Sequence, residues 1–338
     1  MTSKMTTTNT ATSSTAAGSD DATSFAKGRR KNESSSDFNM SANEKRESDL
    51  SQMTAVEPPE HRNSTLAELP PLHFSYRWWA VALYITFLIF CNVVVPCVLF
   101  YPLHVYTRIS DKELIGIGSA ALGVSSCFDA PFRLYRLTRH RTKYGPLITD
   151  TWWHLDFVMW TYTLGLLVFA FPLAIAPAIA FYDFFLMSTM MLVGPVGVVF
   201  LVSLFAPKLP FLVSSDPKGE TMKPAAYYTL EDVGAVDFEG GREWRKNVQA
   251  RYNISPPFRS LMYIQTVYWT FMAAVYCGIT AAVTWTTNLA WAFGWVLGQF
   301  FIWALFSGVI SYFISKWGLA REKVWWEARQ NQIEKVSA

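Results

Sequence analysis

The sequence predicts an all-α polytopic membrane protein with six transmembrane helices and a disordered N-terminal tail. Hydrophobic residues make up 51% of the 338 positions and charged residues only 16%, against about 25% in an ordinary soluble domain. Long apolar segments recur after residue 70, and 27 of the 29 Lys and Arg residues fall in four polar stretches beside them. Both observations are typical of a chain that crosses a membrane repeatedly.

Residues 1–70 predict a disordered tail on the cytosolic side. This stretch holds 22 Ser or Thr residues but only two aromatic residues, whereas the rest of the chain holds 52 aromatic residues. Such a composition buries too little apolar surface to offset the entropy lost on folding. The stretch also lacks the apolar core of a cleaved signal peptide, so the first hydrophobic helix is expected to direct insertion.

Residues 71–316 predict the transmembrane bundle. Crossing about 30 Å of hydrocarbon takes roughly 20 apolar residues. The six candidate spans cover residues 78–100, 114–128, 155–179, 184–205, 261–285 and 291–314. The second span is short and rich in small residues, with Gly116 and Ala120, and Ser119 and Gly123, four positions apart. Small residues four positions apart allow another helix to approach closely.

The basic residues predict the orientation of this bundle. With six crossings, only Arg108 and Lys112 lie on one face, and the other 27 Lys and Arg residues share the opposite face. The positive-inside rule then places both termini in the cytosol. Omitting the second span would divide the basic loops between the two faces, so the charge asymmetry supports that span.

Two polar segments on the predicted cytosolic face are expected to be structured. In the loop 206–260, the run GREWRKNVQARY begins at the second of two adjacent glycines and predicts a short helix that ends before Pro256. Residues 317–338 predict an amphipathic C-terminal segment that lies at the membrane interface or docks on a partner.

The most distinctive motif, CFDAPFRLYRLTRHRTKYGPL, covers residues 127–147 at the exit of the second span. Arg133, Arg136 and Arg139 recur every three residues, which aligns them along one face of a helix. Guanidinium groups bind phosphate in bidentate fashion, so this face is a candidate site for phospholipid headgroups or a prenyl diphosphate. The alternative is a charge cluster that only enforces topology.

Asp129 and Asp156 are the candidate catalytic residues. Both lie near the membrane boundary beside aromatic residues, where partial burial disfavours the charged form of a carboxyl group. Each is a candidate proton donor for an acid-initiated cyclisation of an isoprenoid epoxide. The alternative role is an interfacial salt bridge with Arg133 or His154.

Metal, nucleotide and nucleic-acid chemistry receive no support from the sequence. It contains no Cys and His spacing typical of zinc, no DDxxD array and no glycine-rich phosphate loop. We therefore expect no metal site and no cofactor. The 29 basic and 26 acidic residues nearly balance, which argues against a nucleic acid as partner.

Three stretches resemble a family of fungal multi-pass membrane proteins. They read ELIGIGSAALGVSSCFDAPFRLYRLTRHRTKYGPL, WWHLDFVMWTY and EDVGAVDFEGGREWRKNVQARYNISPPFR. The resemblance covers nearly everything after residue 70, and some members are similar to integral membrane proteins of indole-diterpene biosynthesis clusters. It implies a role in fungal secondary metabolism and carries no catalytic residues over to this chain.

We therefore expect a membrane protein of the endoplasmic reticulum or a related endomembrane that supports biosynthesis of a lipophilic isoprenoid. It would bind or convert an intermediate or scaffold the enzymes that do, with membrane lipids, isoprenoid intermediates and biosynthetic enzymes as partners. The sequence leaves open whether the protein is an enzyme. The alternative function is a transporter that exports the metabolite, with Pro172, Pro177 and Pro195 breaking helices around a central site.

Overall fold

The computed structural model describes residues 69–72, 78–107, 109–126, 131–148 and 154–337. Most of these residues are helical, and the described part of the chain contains no strand beyond two isolated bridges, at Lys208 with Thr221 and Val213 with Asp216. The candidate residue Asp129 and the predicted tail up to residue 68 lie outside the described residues.

Twelve α-helices follow one another along the described ranges. They are α1 Trp78–Ile89, α2 Val95–Tyr106, α3 Asp111–Ser126, α4 Pro131–Arg139, α5 Arg141–Tyr144, α6 Phe157–Ile179, α7 Tyr182–Leu186, α8 Ser188–Leu204, α9 Ala225–Val236, α10 Gly241–Ile254, α11 Pro256–Thr286 and α12 Leu289–Ser337. A π-helical turn, Phe90–Val94, joins α1 to α2. The predicted all-α class is therefore confirmed for this part of the chain.

Among the residues that the structure describes, four helical segments are long and apolar enough to cross a membrane. They are Val81–Tyr106, Phe157–Ile179, Pro256–Thr286 and Leu289–Lys335. Large apolar side chains on their outer faces are exposed, among them Leu167, Phe271 and Leu305. Apolar surface of this extent suits contact with lipid tails rather than with water. The membrane character predicted from composition is confirmed to this extent.

The other two predicted spans correspond to shorter helices. α3 has 16 residues and α8 has 17, against the roughly 20 that a bilayer requires. Because neither helix is long enough by itself to cross a bilayer, the number of six crossings stays a prediction.

The sixth predicted span and the predicted C-terminal segment both lie on α12. α12 is one continuous helix of 49 residues, roughly 73 Å long at 1.5 Å per residue. Because a bilayer core is only about 30 Å thick, more than half of α12 extends beyond the hydrocarbon.

Small residues and polar side chains pack the long helices against one another. A Cβ atom at Gly197 of α8 would lie 2.7 Å from the Cβ of Ala273 in α11, so only glycine allows this approach. Between α11 and α12, the amide of Gln265 donates to the Ser311 carbonyl at 2.8 Å. Both devices are usual where helices meet in lipid.

A second packed unit, here called the cap, is formed by α4, α5, α9, α10 and residues 205–224. Its buried core includes Leu137, Tyr144, Tyr227, Tyr228, Trp244 and Val248. Gly234 is required in this core, because a Cβ there would lie 2.1 Å from the Trp244 indole. The helix predicted from GREWRKNVQARY is confirmed as α10, which ends at Ile254. Phe157 and Phe258 belong to the same core and join the cap to α6 and α11.

Candidate functional site

The N-terminus of α6 is held by side chains from three separate parts of the chain. Its first three backbone N–H groups donate, in chain order, to Ser214 Oγ at 2.9 Å, to Asp232 Oδ2 at 3.3 Å and to Asp156 Oδ1 at 2.9 Å. These groups have no partner within the helix, and the positive end of the helix dipole favours the two carboxylates.

Ser214 occupies an unusual backbone conformation at this point. Its φ of 46° lies in the left-handed region, which a residue with a side chain adopts only when its surroundings hold it there. The Ser214 hydroxyl donates to Asp232 Oδ2 at 2.7 Å while it accepts from Phe157. The cap therefore uses a strained residue to connect α9 to the start of α6.

These contacts belong to a buried charge cluster. Its members are Asp156, Asp216, Glu231, Asp232, Arg133, Lys223 and Arg245. Arg245 is fully buried, and its guanidinium group contacts Asp232, Glu231 Oε1 at 3.1 Å and the Tyr144 carbonyl at 3.3 Å. Buried charges persist only when they are paired and hydrogen-bonded in this way.

The cluster holds four fully buried carboxylates and three basic groups, so it is electrostatically disposed to retain a proton. Burial raises the pKa of Asp232 from its ordinary 3.8 to about 7, and the neighbouring Asp156 adds to the rise while Arg245 opposes it. Burial also raises the pKa of Glu231. Burial lowers the pKa of Arg245, but Asp232 and Glu231 outweigh this effect and raise it overall.

We expect the stability of the cap to depend on pH through Asp232. Between pH 4 and about 7 the folded chain holds a proton on Asp232 that the unfolded chain has released, so this group favours folding at low pH. That contribution is lost as the pH rises through 7. The unfolding temperature of the full-length protein should therefore fall between pH 5.5 and 8.

The matched variant for this prediction is Asp232→Asn, which keeps the shape of the side chain and cannot ionise. Its unfolding temperature should change much less over the same pH range. An equal slope in the wild type and the variant would show that another group carries the pH dependence.

Asp156, one of the two predicted catalytic residues, is fully buried at the start of α6. Its carboxylate caps α6 and pairs with Arg133 Nη2 at 2.5 Å. This geometry matches the salt bridge that the sequence left open as an alternative role. The catalytic role of Asp156 stays a prediction, and both of its oxygens are engaged with protein groups.

The arginines predicted to bind phosphate have different surroundings. Arg133 pairs with Asp156 and Asp237, and Arg136 donates to the Val236 carbonyl at 2.8 Å. Arg136 also pairs with a carboxylate of the turn between α9 and α10. Arg139 is exposed and has no ion pair with any described residue. Phosphate binding stays a prediction, and Arg139 is the member of the three best placed for it.

The orientation of α4 explains this difference. The sequence predicts an arginine face open to solvent, but Arg133 and Arg136 turn toward the carboxylates of the cap. Leu134 and Tyr135 lie on the opposite side and are 40% and 57% exposed. An exposed apolar face next to a cluster of basic residues suits the boundary between a membrane and water.

Sequence reasoning missed the residues at the centre of the cluster, Glu231, Asp232 and Arg245. One signal was present: two adjacent carboxylates interrupt the otherwise apolar and aromatic helix AAYYTLEDVGAV. Charged residues in such a helix are stable only when a cation from elsewhere in the fold pairs with them.

A groove of about 570 Å³ lies between α3 and α6 and is here called the small-residue groove. Its lining includes Gly116, Ser119, Ala120, Gly123, Phe169 and Leu173. A Cβ at Gly116 or Gly123 would meet no atom of another element within 4 Å. These positions, which the sequence predicts as a close helix contact, therefore open onto free volume.

Ser119 is a polar residue in the lining of the small-residue groove. The residue is only 7% exposed, and its hydroxyl oxygen has no hydrogen-bond partner among the described residues. A volume of this size with an apolar lining and few polar groups is typical of small-molecule sites. Within the described ranges, no group of three or more His, Cys, Asp or Glu side chains is arranged to hold a metal ion.

The comparisons with known proteins identify one family. The profile described as Domain of unknown function (DUF8766) matches residues 60–326, which include the whole cap and most of the bundle. No curated protein and no solved structure matches the chain significantly.

Proposed function

Because the chain belongs to the family described as Domain of unknown function (DUF8766), which brings no activity with it, we propose a function from the geometry and the sequence. The protein binds a lipophilic isoprenoid intermediate in the small-residue groove and supports its biosynthesis, in the manner of the fungal indole-diterpene cluster proteins that it resembles. The cap and the extended α12 present docking surfaces to the enzymes that act on this intermediate.

The small-residue groove is the observation that carries the proposal. Gly116, Ala120 and Gly123 leave its floor without side-chain bulk, and Phe169 and Leu173 supply an apolar wall. A prenyl chain is apolar and flexible, so it can fill such a volume by dispersion contacts alone. The unpartnered hydroxyl of Ser119 offers one hydrogen bond to an oxygen of the same ligand.

The proposal places the protein in the endoplasmic reticulum or a related endomembrane with six crossings and both termini in the cytosol. The asymmetry of the 29 Lys and Arg residues supports this topology. For the fourth crossing, α7 and α8 together span residues 182–204, roughly 34 Å at 1.5 Å per residue. In this topology the cap and the C-terminal part of α12 face the cytosol.

Binding is better supported than catalysis. Asp156 is fully buried within the cap, and it does not line the small-residue groove. The transporter alternative is weakened because residues 260–315, which include α11 after its first turn and the first half of α12, contain no Asp, Glu, Lys or Arg. Coupled transport usually needs ionisable groups within the membrane.

Filling the small-residue groove tests the proposed function. In Gly116→Leu the new Cβ meets no atom of another element within 4 Å and the rest of the side chain extends from the groove lining, so the fold should persist. In cells that carry only this variant, we expect the isoprenoid product to fall by about tenfold, which corresponds to roughly 1.4 kcal/mol of lost binding free energy. The measurement is mass spectrometry of the product and its precursors in cells and medium.

Gly308→Leu is the matched control, because this glycine of α12 also has open space around it and does not line the groove. Product formation should stay at the wild-type level in this variant. Undiminished product in both variants would contradict the proposal. Product that is made normally but stays inside the cells would favour the transporter.

A further inference from the structure

A separate crevice of about 320 Å³, here called the tryptophan crevice, lies between α2 and the first turns of α12. Its lining includes Tyr101, Trp291, Trp295, Gly298, Gln299 and Ile302. It shares no lining residue with the small-residue groove. Trp291 and Ile302 are 52% and 61% exposed, so the crevice opens onto the outer face of the bundle, where lipid lies.

Two polar atoms in the tryptophan crevice have no hydrogen-bond partner among the described residues. One is Nε1 of Trp295, a donor, and the other is Oε1 of Gln299, an acceptor. The amide nitrogen of Gln299 donates to the Tyr276 carbonyl at 3.2 Å, which fixes the orientation of the amide and leaves its oxygen free. Gln299 is only 4% exposed.

Trp295 and Gln299 are four residues apart on α12, so they lie on the same face of the helix one turn apart. In the hydrocarbon of a membrane, water does not satisfy such groups, and each one left unpaired is costly. A donor and an acceptor one turn apart on the same helix face are therefore complementary to a ligand group that both accepts and donates. A hydroxyl group is the simplest group of this kind.

The rest of the lining defines the body of the ligand. The rings of Trp291 and Trp295 stack with centroids 5.2 Å apart and planes 10° apart, which forms a flat apolar wall. Gly298 leaves open space beside this wall. None of the described lining residues is charged, so a phospholipid phosphate would find no counter-charge in the crevice.

We propose that the tryptophan crevice binds a membrane lipid alcohol, an apolar molecule with one free hydroxyl group, such as a sterol or a prenyl alcohol. The hydroxyl accepts from Trp295 Nε1 and donates to Gln299 Oε1, and the apolar body lies along the two tryptophan rings. The site is independent of the proposed function, because it uses a different face of the bundle.

The test is equilibrium binding to the full-length protein in lipid nanodiscs. Tritiated farnesol and tritiated cholesterol serve as separate probes, each compared with its own methyl ether, which can accept a hydrogen bond but cannot donate one. We expect at least one alcohol to bind, and to bind about tenfold more tightly than its ether, because the ether leaves Gln299 unpaired. The preferred alcohol identifies the source of the ligand. Equal binding of alcohol and ether, or no binding of either alcohol, would overturn the proposal.

Three variants assign the binding to the tryptophan crevice. Gln299→Met removes the acceptor and should weaken the alcohol about tenfold without weakening the ether. Trp295→Phe removes the donor, from which both the alcohol and the ether accept, so it should weaken both ligands about tenfold. Gly298→Leu adds a Cβ that meets no atom of another element within 4 Å and a side chain that occupies the open space, so it should abolish binding in a folded protein. Unfolding temperatures confirm that the variants are folded.

The groove variant Gly116→Leu separates this inference from the proposed function. It should leave alcohol binding unchanged even if it stops product formation, because Gly116 does not line the tryptophan crevice. Loss of alcohol binding in Gly116→Leu but not in Gly298→Leu would place the alcohol in the small-residue groove and overturn the inference.

Discussion

Replacing Arg245 with methionine is expected to unfold the cap. The guanidinium group of Arg245 is the cation shared by Glu231 and Asp232, and its Nη2 lies 3.9 Å from Asp156. All four residues are fully buried, so Arg245→Met leaves carboxylates in a low-dielectric interior without their cation. Removing one partner of a buried ion pair costs roughly 3–5 kcal/mol, a large part of the about 5–15 kcal/mol that stabilises a folded domain.

Thermal unfolding of the full-length protein in detergent, with hydrogen exchange of residues 225–254, measures this effect. Arg139→Met is the matched control, because Arg139 is exposed and has no ion pair with a described residue. That control should change the free energy of unfolding by no more than about 0.5 kcal/mol.

A second comparison separates lost charge from lost packing. Adding Asp232→Asn and Glu231→Gln to Arg245→Met removes the unpaired negative charges and should recover part of the lost stability. An Arg245→Met protein that unfolds at the wild-type temperature would contradict the central role of Arg245.

Replacing Glu322 with alanine is expected to detach the C-terminal part of α12 from the cap. Arg251 of α10 makes hydrogen bonds to both carboxylate oxygens of Glu322 at 2.6–3.1 Å. Glu322 is fully buried and the side chain of Arg251 is 11% exposed. Arg251 also donates to the Pro70 carbonyl at 3.1 Å, so it ties three parts of the chain together. Glu322→Ala leaves the Arg251 guanidinium group without its carboxylate partner, which should lower the free energy of unfolding by about 3 kcal/mol or more.

The measurement is hydrogen exchange and limited proteolysis of residues 316–337, which should lose protection while the bundle keeps it. Glu327→Ala is the control, because Glu327 and Lys323 are exposed and 3.9 Å apart, and such a pair contributes at most about 1 kcal/mol. Equal protection in Glu322→Ala and Glu327→Ala would show that apolar contacts alone hold α12 on the cap.

The proposed scaffold role depends on this contact. If α12 presents a surface to partner enzymes, its position relative to the cap is set by Arg251 and Glu322. A Glu322→Ala protein that keeps a wild-type level of product would limit the functional role to the bundle.

The helices could be predicted from the sequence because the signals that specify a helix are local. Apolar runs of about 20 residues, the glycine pair before α10 and the proline after it are properties of neighbouring residues, and they predict elements close to those observed. The predicted last span and C-terminal segment form the single helix α12, because no glycine pair or proline ends the helix near residue 316.

The ion-pair partners of the charged residues could not be predicted from neighbouring residues. Arg133 and Asp237 are 104 residues apart in the chain, and Arg251 and Glu322 are 71 apart. The arginine pattern of α4 predicts a charged face correctly, but the direction of that face depends on carboxylates contributed by α9 and by the start of α6.

The sequence by itself therefore determined that this protein is helical, apolar and suited to a membrane, because hydropathy and helix signals act over a few turns. Only the tertiary structure decided which charges are buried together, and that Gly116 and Gly123 border a groove rather than a helix contact. It also brought Trp295 and Gln299 into one crevice with Tyr101. These features depend on which distant segments meet. Hydrophobic burial in the cap and van der Waals packing between helices in lipid are both non-directional, so local sequence specifies no partner.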